Sequence, residues 1–186
     1  MNNISTLVKT KKTVFTNTEL YTIFSQTDKR NVDNFLYRAK KSGALIHLRG
    51  GIRALPNYNP LELACKIRTK SYLSCETVLF KEGVFFQYYG NTYSCASDDS
   101  RNYKIDDKIF PYYKIKSEIL NNPIGVRQYD NYRMATAERA LCDYIYINPR
   151  GTIDAPEMIN KIRLNQILPI YPKQTALHIK KLLDVE

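Results

Sequence analysis

No apolar run in the 186-residue chain approaches the ~18 residues of a membrane span, and the first 15 residues lack the continuous apolar core of a signal peptide. The expectation is a protein without membrane contact, located in the cytoplasm. Histidine is scarce, with only His47 and His178, and the four cysteines (Cys65, Cys75, Cys95, Cys142) contain no C-x-x-C pair. A structural zinc site is therefore not expected. A chain this long can bury a core without disulfide staples, so the cysteines read as buried free thiols. The sequence also lacks G-x-x-x-x-G-K-[ST], G-x-S-x-G and H-E-x-x-H. Neither an enzyme nor a bound cofactor or metal is expected.

Apolar residues make up 44% and charged residues 25%, which is ordinary globular usage. The excess of positive charge, +10 in all, is unevenly spread. Residues 1–57 hold ten Lys and Arg against three acids, +7, whereas residues 58–186 contribute +3. Such asymmetry points to a polyanion partner for the first third. Leu55-Pro56-Asn57-Tyr58-Asn59-Pro60 has the composition of a linker and sets the expected boundary between domains 1–57 and 58–186.

Within the first domain, Ile4, Leu7 and Val8 are spaced for a short helix, and Val14–Thr16 for a brief strand. Thr16 or Asn17 is placed to cap a second helix with Leu20, Ile23 and Phe24 on its apolar face. In a third helix, about Lys29 to Lys41, Val32, Phe35, Leu36 and Ala39 form the core stripe. The opposite face is then Arg30, Asn34, Tyr37 and Lys41, with Arg38 beside it. Gly43 suits the turn that ends this helix. Two short apolar runs around Gly50-Gly51 read as a β-hairpin. This order of elements is that of a winged helix-turn-helix.

A helix fits the DNA major groove, where Arg can pair with guanine and Asn with adenine. Arg30 and Asn34 are thus the expected base readers. Lys29, Arg38, Lys41 and the wing residues Arg49 and Arg53 are suited to phosphates, which fix register without specifying sequence. The same face would also suit a solvated surface or a protein-docking module.

The remainder predicts an α+β domain with a small, mostly antiparallel sheet. A helix begins at Pro60, Ser74 is placed to cap another, and tyrosine-rich strands fill the middle. A hairpin joins Val126–Gln128 to Tyr132–Met134, and Thr136 caps a strong amphipathic helix that Asn148-Pro149-Arg150-Gly151 stops. Two further helices are expected near Pro156–Leu164 and Lys173–Leu183. Asp106-Asp107-Lys108 reads as a charged turn between strands; a metal-dependent nuclease would have to use those same acids. The 15 tyrosines fit packing in strands better than stacking on single-stranded nucleic acid.

Three segments, in order, resemble the AbiEi-type antitoxins of type IV toxin–antitoxin (abortive infection) systems. They are Lys40–Ile46 running on through Arg49–Leu55, then Ser71–Leu79, then Tyr132–Asp143. The resemblance implies a winged helix that binds inverted repeats in its own promoter and represses the operon. It also implies a C-terminal domain that counteracts a nucleotidyltransferase-like toxin, without requiring stable direct contact. Arg53 departs from the aromatic often found there and would strengthen a phosphate contact. Glu138, Arg139 and Asp143 fall outside the apolar stripe of their helix. They read as a solvated face or, by their place in the third segment, as an antitoxin surface. The alternative to the whole reading is a ligand-responsive or dimerising winged-helix regulator with no toxin partner.

Overall fold

In the computed structural model, the described residues run from 3 to 183 and form two compact units, one ending at Ile67 and the other beginning at Arg68. The chain is of mixed α and β structure throughout.

The first unit runs α1 (Asn3–Lys9), β1 (Val14–Thr16), α2 (Asn17–Ile23), α3 (Lys29–Lys41), β2 (Ile46–Arg49), β3 (Ile52–Ala54) and α4 (Pro60–Ile67). Local chemistry explains its boundaries. Thr16 and Glu19 form a reciprocal capping box at the start of α2, satisfying two backbone donors that the helix leaves open. Asp28 caps α3 by accepting from the Arg30 amide at 2.9 Å. Gly43, at φ +75°, supplies the left-handed residue after it. The three strands form an antiparallel sheet in the order β1-β3-β2. One face of α3 inserts Val32, Leu36 and Ala39 into a core shared with Leu7, Phe15, Leu20, Phe24 and Leu45. Phe24 and Phe35 meet edge to face, with centroids 5.4 Å apart.

The expected linker at Leu55–Pro60 is not one, and the division falls after Ile67 rather than after Asn57. The reason is polar docking of α4 onto β1. The buried Glu62 carboxylate accepts from both the backbone N–H and the hydroxyl of Thr13, at 2.9 and 2.7 Å. Asn59 donates its own N–H to the Thr13 hydroxyl. Lys66, at the end of α4, pairs with Glu19 of α2.

In the second unit, β4 (Ser71–Leu73), β5 (Cys95–Ser97), β6 (Arg101–Ile105), β7 (Lys108–Lys114), β8 (Val126–Gln128) and β9 (Arg133–Ala135) form a sheet of order β6-β7-β5-β4-β9-β8. This sheet is larger and more mixed than expected. Two of its five pairings, β4 with β9 and β5 with β7, are parallel. They arise because β7 folds back between β6 and β5 and because β9 returns beside β4 after the whole central excursion. The connecting helices are α5 (Cys75–Lys81) and α6 (Ser117–Leu120), followed after the sheet by α7 (Ala137–Ile147), α8 (Lys161–Ile167) and α9 (Lys173–Leu182). Helices α5, α8 and α9 all pack on α7, which is the hub of this unit. Among the described residues, no helix is long and apolar enough to cross a membrane.

Candidate nucleic-acid interface

The outer face of α3 follows directly from its inner one. With Val32, Leu36 and Ala39 buried, the residues half a turn away must face water. Lys29, Arg30, Asn34, Tyr37, Arg38 and Lys41 are all exposed, Tyr37 to 69%. The two expected readers and the three phosphate candidates on this helix are all polar or charged, and Arg30 to Lys41 spans ~16 Å of helix at 1.5 Å per residue. An exposed tyrosine in the middle of a cationic stripe adds an apolar surface there.

The helix is held against its neighbour by a contact that sequence periodicity does not reveal. The Tyr21 hydroxyl of α2 donates to Asp33 Oδ1 of α3 at 2.5 Å. That hydrogen bond holds the Tyr21 phenol above its ordinary pKa. Lys29 Nζ lies 5.9 Å from the centroid of the same ring. Asp33, the one acid within α3, is thereby engaged with α2.

The hairpin places its two arginines differently from expectation. Arg49 and Arg53 are half-buried. Arg53 sits in the central strand, registered against Phe15 on one side and His47 on the other. Its guanidinium donates to the Asn17 side chain. Arg53 thereby ties the sheet to the start of α2. The glycine turn is anchored at the same point, since the Asn17 amide donates to Gly51 O at 2.8 Å. A Cβ on Gly51, at φ +79°, would come within 3.1 Å of Asn17 Nδ2.

Below this, Glu19 joins three elements. Burial raises its pKa, but the ammonium groups of Lys12, at 2.7 Å, and of Lys66, with the Thr16 N–H, outweigh that and bring it to about 2.

In the second unit, Glu138, Arg139 and Asp143 are neither a solvated face nor an exposed antitoxin surface. All three are buried, Arg139 and Asp143 at 0% exposure. Helices α5, α8 and α9 and strand β9 pack against α7, so charge could enter only with partners. Arg139 donates to the carbonyls of Ile119, Asn122 and Ile124 and to the Tyr72 hydroxyl, and lies 3.5 Å from Asp143. Asp143 accepts from the hydroxyls of Tyr171, Ser74 and Tyr72 at 2.6, 2.7 and 3.0 Å. Burial pushes the Asp143 carboxyl up, and Arg139 and the three hydroxyls pull against it. Burial, with the Asp143 charge, pushes both tyrosines well above their ordinary values. Ser74 thus stands at the N-cap of α5 yet spends its hydroxyl on Asp143.

The neighbouring Cys75 has φ +52°, a strained conformation between strand and helix. Its thiol is buried and held well above its ordinary pKa by burial, which suppresses the thiolate a nucleophile needs. Asp106 and Asp107 form the turn between β6 and β7, with Asp106 at φ +54°. Asp107 is paired with Lys108 at 2.8 Å and accepts from Asn91. This is the charged turn expected of them, and the nuclease alternative gains no further acid there. Among the described residues, no group of three or more His, Cys, Asp or Glu converges as a metal-binding set would.

No protein-family model matches the chain, and no curated protein matches it. Among solved structures, it is similar to the RV2827C protein from Mycobacterium tuberculosis, with a TM-score of 0.58 at 12% identity. The match covers 97% of this chain and 74% of that one. At that identity the likeness is one of fold.

Proposed function

We propose that the first unit is a winged helix-turn-helix and that the chain is an autorepressing antitoxin of the AbiEi type. In this reading α2 and α3 are the helix-turn-helix, α3 enters the major groove, and β2–β3 is the wing, with β1 completing its sheet. The observation that carries it is the outer face of α3: exposed Arg30, Asn34, Tyr37, Arg38 and Lys41 opposite a buried Val32, Leu36 and Ala39. A cationic, amide-bearing helical face can read base edges and neutralise phosphates at once. The unit's concentration of positive charge favours the same partner. The second unit would then counteract a nucleotidyltransferase-like toxin, a role that rests on the resemblance of Ser71–Leu79 and Tyr132–Asp143.

The test is fluorescence anisotropy of the full chain on its own upstream duplex and on a scrambled duplex, titrated with salt. A preference of about a thousand-fold and a steep negative salt slope are expected. Arg30→Ala with Asn34→Ala should remove most of that preference, each contact being worth ~1–3 kcal/mol. Equal, weak binding to both duplexes would overturn the reading and leave α3 as a protein-docking face.

A further inference from the structure

We infer that the second unit carries a preformed pocket for a small phosphate monoester, set between the end of α6, the start of β4 and the β8–β9 hairpin. The pocket has a volume of about 340 Å³, and the residues that line it all belong to that unit. Its size falls within the ~300–1,000 Å³ of small-molecule sites. One wall is the segment from Leu120 to Pro123, where α6 ends. That wall is fastened from the interior. The buried Arg139 guanidinium donates to the carbonyls of Ile119, Asn122 and Ile124 at 2.6, 3.3 and 2.8 Å. Tyr72, whose hydroxyl accepts from Arg139 and donates to Asp143, lines the pocket as well. Walls held in this way are in place before a ligand arrives, so binding loses little to ordering.

Charge indicates the ligand. Lys70 and Arg133 line the pocket, and among the described residues no Asp or Glu does. Lys70 is exposed, and its ammonium has no partner among the described residues. Arg133 Nη2 donates to the carbonyls of Thr69 and Ser71 at 3.1 and 2.8 Å. Neutral carbonyls orient a guanidinium without cancelling its charge. A cleft lined by one sign of charge concentrates its field, and two cations on an acid-free lining favour a dianion. Donors are plentiful beside them. The Thr69 hydroxyl and the Asn121 amide, both on the lining, have no partner among the described residues. Asn122 spends its side-chain oxygen on the Ile124 N–H at 3.0 Å, which leaves its NH2 uncommitted. So many donors suit the three terminal oxygens of a phosphate better than the two of a carboxylate. Leu120, Pro123 and Val126 add an apolar side to the same space, which suits the carbon group of an ester rather than the free ion. The pocket lies in the second unit alone and does not rest on DNA contact by the first.

Calorimetric titration of the full-length chain at constant ionic strength tests it with butyl phosphate, inorganic phosphate and pentanoate as probes. Butyl phosphate should bind about tenfold more tightly than inorganic phosphate, through partial burial of its chain. It should also bind about tenfold more tightly than pentanoate, through its further charge-assisted hydrogen bond. Lys70→Ala should weaken butyl phosphate by about tenfold. Asn121→Asp, which sets a carboxylate among the donors, should abolish its binding. Both positions are exposed, and unchanged melting temperatures would show that both variants keep the fold. Lys104→Ala, at an exposed position on β6 at the opposite edge of the sheet, should leave the affinity as it was. No binding of butyl phosphate at millimolar concentration would overturn the proposal. So would equal affinity for pentanoate or inorganic phosphate, or an affinity unmoved by Lys70→Ala and Asn121→Asp. An equal loss in Lys104→Ala would overturn it too, by marking the attraction as that of a basic surface. Operator binding measured on the same samples keeps this failure distinct from failure of the repressor reading.

Discussion

Glu19 is where the capping of α2, the turn between α1 and β1 and the docking of α4 meet, because its carboxylate serves the Thr16 N–H, Lys12 and Lys66 together. Its pKa is depressed from 4.5 to about 2 in the folded state. A depressed carboxyl stabilises the fold fully above its unfolded value, and that contribution is lost as pH falls through the folded one. Replacing Glu19 with Gln keeps the acceptor for Thr16 and removes only the charge. Urea denaturation should show the variant ~1–2 kcal/mol less stable at pH 7, after allowance for its partial exposure. The gap should shrink to about half or less by pH 3. A gap independent of pH would mean that the two lysines contribute nothing. Arg139 poses the harsher case. Arg139→Met leaves Asp143 buried beside no cation and takes the guanidinium donors away from the carbonyls of Ile119, Asn122 and Ile124, of which Ile119 keeps the Asn122 N–H. A loss of ~3–5 kcal/mol is expected, read as an early unfolding transition of the second unit.

At the scale of elements, α3 separates stability from recognition by face. Leu36→Ala should cost ~2–5 kcal/mol through the cavity it leaves. Arg38→Ala and Lys41→Ala should leave stability within ~0.5 kcal/mol, yet each should reduce the salt slope of DNA binding by about 1. Thermal melts and anisotropy on the same variants check both halves. This helix was legible in the sequence because everything that shapes it is local: the apolar spacing, the Asp28 cap and Gly43. Helix α7 is legible as an element, with its Thr136 cap, but the burial of its polar face is not. Charged residues are seldom buried, and the partners that permit it here, Tyr72, Ser74 and Tyr171, lie 28 or more residues from Asp143. The same distance problem hid the order of the six-stranded sheet, which depends on β7 and β9 returning beside strands laid down much earlier. The hairpin is visible in the sequence as two apolar runs around a glycine pair, but not the pairing with β1 that makes β3, and Arg53 with it, central. Proline and asparagine at Leu55–Pro60 suggested a linker; the Glu62–Thr13 contact that fastens α4 to the first unit spans 49 residues.

For the whole molecule, the proposed function assigns DNA contact to the unit that holds most of the excess positive charge and toxin counteraction to the other, so the two roles should be separable within one chain. Arg30 and Asn34 are exposed on α3 and hold up no part of the core, so their replacement by alanine should not disturb either unit. Arg139 is the opposite, fully buried at the centre of the second unit and remote in sequence from α3. If the proposed function holds, then in cells carrying a cognate toxin the Arg30→Ala, Asn34→Ala chain, expressed from a foreign promoter, should rescue growth as well as the parent while failing to repress its own promoter. Arg139→Met should fail to rescue. Repression by that second variant should persist to the extent that the first unit holds its fold without the second, which circular dichroism melts of the same variant would show as a surviving later transition. Rescue that disappears in the α3 variant while its melting curve stays unchanged would place the antitoxin activity on the DNA-binding face itself, and the division of labour between the units would have to be abandoned.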